Sequence, residues 1–367
     1  MMVHRPTMIF HVPFALNPDA KSASGIRPLR LRRAFEEIGY DVREISGSHA
    51  RRRQLMRNLR RDITAGLRIE FAYSEAATTP TGLGEKITRH TSLTRDIRFL
   101  RFCRRKGIPV GLFYRDVYWQ FPEYAERVRQ PYRSILRSRY RADLRGYRRA
   151  VDRLFLPSFE MASFLPVANR RGVTELPPGA ELRDAPLRDR QSDALSLFYV
   201  GGIGNYYRMQ ETVRGVQAAE GAALTICTRA DEWSQMSGAY AEVLGTATRV
   251  VHRSGAELDD EYERADIGVL LMEPIAYRDF AAPMKLYEYL GWGKPVIATE
   301  GSLAGRFVEE TGIGWAIPYD ANSLTSLLIR LRENPEELQS RSLRAREVRE
   351  EHTWAARARQ AASALTK

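Results

Sequence analysis

Short apolar runs alternate with stretches of helical periodicity along this chain, and the alternation runs through twice. The first pass begins with TMIFHVPFAL, a strand-like run followed by the polar loop NPDAKSASG. IRPLRLRRAFEEIGY then sets Ile26, Leu29, Leu31, Ala34, Phe35 and Ile38 close to helical spacing, and DVREIS reads as the next strand. RIEFAYSEA, IPVGLFYRDVYW and VDRLFLPS continue as strands, with TRDIRFLRFCRRKG and residues 131–150 as basic helices. VTELPPGAELRDAPLRDRQSD, rich in Pro, Gly and charge, interrupts the pattern near mid-chain and marks a domain boundary. The second pass runs through LSLFYVGGIGN, AALTICTRADE, TRVVHRSG, ADIGVLLMEP, KPVIATE and GWAIPY before a helical end. Such alternation specifies α/β domains with mainly parallel sheets. The expected division is residues 1–178, residues 179–345, and a helix at 346–367 returning to the first domain. Ligands are then expected in a cleft where the strand ends of two doubly wound domains face each other.

Composition narrows the function classes. A chain of 367 residues is long for one core, and two domains match the usual size. Cys103 and Cys227 are its only cysteines, which argues against a disulfide framework or a structural zinc and fits a reducing cytosol. No stretch reaches the roughly 18 apolar residues of a spanning helix, and the N-terminus shows no secretory signal. A cytoplasmic location is expected, peripheral at the inner face of a membrane. Residues 1–178 hold 35 Lys+Arg against 17 Asp+Glu, a balance of +18, and the remainder balances at −6. The basic half suits an anionic partner, although arginines on solvated helix faces give the same count.

The segment FAAPMKLYEYLGWGKPVIAT, residues 280–299, concentrates the candidate chemistry. Pro283 suits a helix start, which puts Lys285 in the first turn, where the macrodipole disfavours a cation by roughly 0.3–1 kcal/mol. A lysine there makes sense beside an anion bound at the helix N-terminus. Glu288 follows on the same face and suits the vicinal hydroxyls of a ribose; the same spacing also makes an exposed ion pair worth roughly 0.3–0.5 kcal/mol. Lys294 opens a strand and reads as structural. YVGGIGN, residues 199–205, leads a strand into a glycine loop able to face a diphosphate or simply to turn. Phosphate-loop, zinc-protease and nucleophile-elbow motifs are all absent from the sequence.

The restart after LPPGA, the YVGGIG loop and the APMKLYEYLGWGKPVIAT block together resemble the C-terminal domain of GT-B glycosyltransferases. They are most similar to glycosyltransferase family 4 and to bacterial exopolysaccharide enzymes such as the xanthan glucuronosyltransferase. The resemblance implies two Rossmann-like domains and transfer of a sugar from a UDP-, GDP- or dTDP-sugar to a polysaccharide, glycolipid or other glycan acceptor, without a metal. It implies Gly201, Gly202 and Gly204 against the donor diphosphate, Lys285 on a phosphate and Glu288 on the ribose. Met272, Glu273, Tyr277 and Met284 are implied near the nucleotide. Retaining members of family 4 carry Glu-x7-Glu; here the first glutamate falls on Phe280, with Asp279 beside it.

An inverting transfer needs a general base. Asp116, in the aromatic segment FYRDVYWQFPEY, is the first candidate and Glu75 the reserve; a capping or Arg115-paired Asp116 is the alternative. His11 and His90 read as structural or acceptor-contacting. Ser24 and Gly25 are candidates to border a phosphate, and Arg208 or Arg229 to join Lys285 in stabilising the leaving group. A sugar-nucleotide epimerase shares the expected layout. A basic nucleic-acid binder, suggested by HARRRQLMRNLRR, is opposed by the acidic C-terminal half, so no nucleic acid is expected as a partner.

Overall fold

The computed structural model describes residues 5–20, 22–84, 91–122, 124–165, 172–184, 194–204 and 206–367. It divides into two units, the first comprising residues 1–177 together with 354–367, the second residues 178–353. Residues 346–353, expected with the returning helix, count with the second unit.

In the first unit β1 (Thr7–His11) is buried along its whole length, as a strand covered on both faces of a parallel sheet must be. It is followed by α1 (Ala23–Glu37), β2 (Asp41–Ile45), α2 (His49–Thr64), β3 (Ala72–Glu75), α3 (Arg95–Arg105) and β4 (Val110–Phe113). Then come α4 (Tyr124–Arg127), α5 (Tyr132–Arg148), β5 (Arg153–Leu156) and β6 (Val173–Glu175). The six strands are parallel in the order β2-β1-β3-β4-β5-β6. Phe10, Phe35, Phe71, Tyr73 and Phe155 interlock in the core, with Phe10 and Tyr73 stacked at 5.7 Å. The basic motif HARRRQLMRNLRR lies in α2, whose Arg52 is 1% exposed and ion-paired with Asp96 at 3.0 Å. That part of its charge is structural.

The second unit contains β7 (Leu195–Val200), α6 (Gln210–Ala218), β8 (Ala222–Cys227), α7 (Ala230–Met236), β9 (Thr248–Val251), α8 (Asp259–Arg264) and β10 (Ile267–Leu270). It continues with α9 (Met284–Gly291), β11 (Val296–Thr299), α10 (Leu303–Thr311), β12 (Gly314–Ile317), α11 (Ala321–Glu333) and α12 (Pro335–Val348). Its parallel order is β12-β11-β10-β7-β8-β9, the doubly wound arrangement of dinucleotide-binding folds. Local signals set the helix ends. Ser302 caps α10 through Gly305 N–H at 3.0 Å, Asp320 caps α11 through Ser323 N–H at 2.8 Å, and Gly312 stops α10 at φ +72°.

The chain then re-enters the first unit as α13 (Trp354–Thr366), which packs on α1 through a face of small residues, Ala358, Ala361 and Ala362, with Leu365 beside Gly111 of β4. Among the described residues no helix is long and apolar enough to cross a membrane.

Candidate functional site

The second sheet reverses its winding between β7 and β10, and ligands of doubly wound folds bind outside the strand ends at such a switch point. β7 runs into Gly201 there, at φ +137°, a backbone conformation suited to glycine. A Cβ on Gly201 would lie 2.4 Å from Lys285 Nζ, so the missing side chain lets an ammonium rest against the loop. The chain leaving β10 passes Met272 and Glu273, makes a short helical turn at Ala276–Asp279, and reaches Pro283, which precedes α9 in extended conformation. Lys285 is thus the second residue of α9, in its first turn.

Lys285 Nζ donates to the Tyr199 hydroxyl at 2.9 Å, and that hydroxyl donates to the Gly202 carbonyl. The ammonium also lies 4.2 Å and 4.7 Å from the ring centroids of Tyr199 and Tyr207. Arg278, 9% exposed, sits 5.3 Å from the same Tyr207 ring and donates to the Tyr206 carbonyl. Its Nε has no hydrogen-bond partner among the described residues. Neither Lys285 nor Arg278 forms an ion pair among the described residues. Burial, and then the Arg278 guanidinium, lower Lys285 from 10.5 to about 7, against the opposing pull of Glu288 and Glu232. Burial lowers Arg278 as well. Arg278 thus disfavours the charge on Lys285, and both cations stand against phenol rings, with a glycine backbone beside the ammonium.

Glu288 accepts from the Tyr262 hydroxyl at 3.0 Å, and Tyr262 is stacked on Trp292 at 5.5 Å, which fixes the carboxylate on α9. Met272 is buried, its N–H held by Thr299 Oγ1 at 2.8 Å, and Tyr277 packs edge-on against Tyr206 and Phe280. Phe280 is 1% exposed, so the position of the family's first glutamate belongs here to the apolar core, while Asp279 beside it is exposed. Met284 begins α9 and is partly buried. Arg208 and Glu273 pair at 3.5 Å on the wall of a cavity of about 410 Å³ that Gln210, Met236 and Tyr319 also line. Arg229 is exposed and paired with Glu232 at 3.1 Å. Lys294 is buried and donates to the carbonyls of Glu263 and Ala265, a structural role. Arg278, Tyr199, Tyr207 and Glu232 are not legible in the sequence as a group, because Tyr199 lies on β7, Glu232 on α7 and the other two in connecting segments, so no single period marks them as converging.

A family described as glycosyl transferase-like matches residues 208–363, the span that holds Glu232, Arg278, Lys285 and Glu288. A comparison with curated proteins found no match. Among solved structures the chain is similar to Anabaena HepE in complex with UDP-glucose, at 11% identity and TM-score 0.63 over 99% of this chain and 100% of that one. It is also similar to sucrose-phosphate synthase from Thermosynechococcus elongatus, at 16% identity and TM-score 0.58 over 98% of each chain. A third likeness is to a putative UDP-N-acetylglucosamine 2-epimerase from Listeria monocytogenes, at 11% identity and TM-score 0.51 over 98% of this chain and 96% of that one. The glycosyl transferase-like match is confined to residues 208–363, and the chain as a whole has the GT-B fold.

In the first unit of this GT-B chain, Asp116 follows β4 and is partly buried. Its Oδ1 accepts from the Tyr118 N–H at 2.8 Å, the geometry of a capped turn. Tyr118, Tyr124 and Tyr140 crowd around that turn, with Trp119 stacked on Tyr140 at 5.0 Å. Glu75, the reserve base, is 0% exposed; it accepts from Tyr73 at 3.1 Å and pairs with Arg115 at 3.1 Å and Arg27 at 3.4 Å. So clasped, it positions Arg115, which in turn donates to the Ser24 carbonyl at 2.7 Å. Gly25 is needed for packing, since a Cβ would meet Ala20 Cβ at 2.6 Å. His11 is buried between Ser74 Oγ (2.8 Å) and Asp96 Oδ1 (3.0 Å). Despite its burial, His11 and Arg52 draw the Asp96 carboxyl below its usual value. No cavity reaches this Ser-His-Asp arrangement among those described, and it serves the core. His90 lies outside the described residues.

Proposed function

We propose that this GT-B protein transfers a glycosyl group from a nucleoside diphosphate sugar to a glycan or lipid-linked acceptor, with the donor diphosphate held by Lys285, Arg278 and the glycine loop. The observation that carries this reading is the pair of cations at the switch point, a buried Arg278 and a partly buried Lys285, which form no ion pair among the described residues, while desolvation and then Arg278 lower Lys285 to about 7. A diphosphate supplies the missing negative charge, and phosphate held at a helix start beside a glycine loop is a recurrent solution. Glu288, oriented by Tyr262, is suited to the ribose hydroxyls. A uracil nucleotide is favoured because HepE, similar in fold, binds UDP-glucose. Met272, Glu273, Tyr277 and Met284 are proposed to lie near the nucleotide, and Arg229 and Arg208 to supply further positive charge to a departing diphosphate. No step of the proposed transfer is assigned to a metal.

Asp116 is proposed as the general base of an inverting transfer, with Tyr118 N–H holding one oxygen in place. The arginine-lined cavity of about 960 Å³ on α3 and α5 supports a peripheral contact with an anionic membrane. The fold is shared with an epimerase, so product analysis matters. The deciding experiment measures UDP binding and release of UDP from UDP-sugars, with and without acceptor. Lys285→Met is expected to abolish binding, and Asp116→Asn to leave binding intact while lowering turnover by about 10²–10⁴. Sugar inversion at C2 without release of UDP would replace transfer by epimerisation. Wild-type protein that binds no nucleoside diphosphate would overturn the donor site itself.

A further inference from the structure

We propose that Glu232 is a resident anion in the phosphate seat of the glycine loop, displaced when the donor diphosphate binds; this rests on the donor reading above. Glu232 stands on α7, and its Oε1 accepts from the Ile203 N–H at 2.9 Å and from the Gly204 N–H at 3.2 Å. Successive backbone N–H groups converging on one oxygen form a nest, the main-chain geometry that holds anions. A Cβ on Gly202 would lie 2.9 Å from that same oxygen, so the approach depends on the glycine. Oε2 accepts from Arg229 at 3.1 Å, whose side chain is 70% exposed while that of Glu232 is 19% exposed.

The loop therefore carries opposite charges on its two sides. The Lys285 ammonium lies against Gly201 and the Glu232 carboxylate against Gly202, and Glu232 is one of the two charges that help Lys285 keep its proton. A diphosphate in contact with Lys285 and Arg278 takes over both the compensation and the loop N–H groups. It cannot share them with a carboxylate, because like charges at hydrogen-bonding distance repel. Glu232 then swings outward and gives up its pairing with Arg229, leaving that guanidinium to the diphosphate. Donor affinity is accordingly reduced by the fraction of protein whose seat is already taken. Glu232 becomes an affinity-setting residue that touches no donor atom.

Calorimetric titration with UDP, GDP and dTDP tests this on wild type, Glu232→Gln, Lys285→Met and, as a charge control, Glu242→Gln, which removes the same charge from an exposed position. Glu232→Gln is expected to bind the preferred diphosphate about tenfold more tightly, Glu242→Gln to match wild type, and Lys285→Met not to bind. Unchanged or weaker binding by Glu232→Gln, or equal tightening by Glu242→Gln, overturns displacement and leaves the donor site standing. Absence of binding by wild type overturns the donor reading, and displacement with it. Hydrogen exchange on wild type gives an answer that needs no variant. Saturating diphosphate should slow exchange at 201–204 and speed it at 230–236; slowing at both means that Glu232 stays in place.

Discussion

Lys285 sits in a charge state that its proposed ligand would change. Without an anion it titrates near 7 in the folded chain and near 10.5 when unfolded. Between those values the unfolded chain binds more protons, so the lysine's contribution to stability rises with pH across that window and is flat on either side. A bound diphosphate reverses the balance by favouring the ammonium over the neutral amine. Binding of UDP near pH 8 is therefore expected to take up close to one proton, and affinity to fall by up to about tenfold per pH unit above 7. Titrations in buffers of different ionisation enthalpy measure that proton directly. Arg278, Glu288, Glu232, Tyr199 and Tyr207 all face the ammonium, so Lys285→Met should remove the uptake whereas Glu242→Gln should not. A proton count near zero in wild type would mean that Lys285 does not meet the phosphate.

Among elements, β4 depends closely on a small residue. A Cβ on Gly111 would lie 2.5 Å from the Phe155 ring and 3.0 Å from Leu365 of α13. Gly111→Val is expected to cost roughly 1–3 kcal/mol by overpacking and to lower the thermal midpoint, readable by circular dichroism. The central strands of both sheets are legible in the sequence because burial on two faces leaves contiguous apolar runs such as MIF, GVLL and VIAT. β6 is not, since VTE is a three-residue edge strand followed by Leu-Pro-Pro, which reads as linker. Nor is α2 recognisable as a packed helix, because its buried face includes Arg52, and the Asp96 that makes this tolerable lies 44 residues away. The same limit applies to the site. Spacing puts Lys285 and Glu288 on one helix, which is where they stand, but the convergence of Arg278, Tyr207 and Glu232 on the glycine loop depends on how α7 and two connecting segments fold back.

For the whole molecule, charge is divided more sharply than composition alone suggests. The arginine-lined cavity draws Arg101 and Arg104 from α3, Arg145 and Arg148 from α5 and Arg149 from just beyond it, while Tyr132 and Ile135 at the start of α5 are 69% and 54% exposed. Arg104 is tied to Asp152, but Arg101, Arg145 and Arg148 form no ion pair among the described residues. Binding to phosphatidylglycerol vesicles is expected, weakening with salt. It should fall on the order of a hundredfold when Arg101, Arg145 and Arg148 are all changed to Ala, at about 1 kcal/mol each. Flotation assays measure it, and equal binding to neutral vesicles would remove the membrane from the account.

The return of α13 to the first unit also sets an order of events during synthesis. The ribosome makes β1 to β6 first, then the whole second unit, and only afterwards the helix that covers β4 and α1. At roughly 5–20 residues per second, the nascent first unit waits roughly ten to thirty-five seconds with Gly111 uncovered. The second unit, continuous in sequence, needs no such delay. The half of the protein proposed to hold the donor can therefore be finished before the half that was started first.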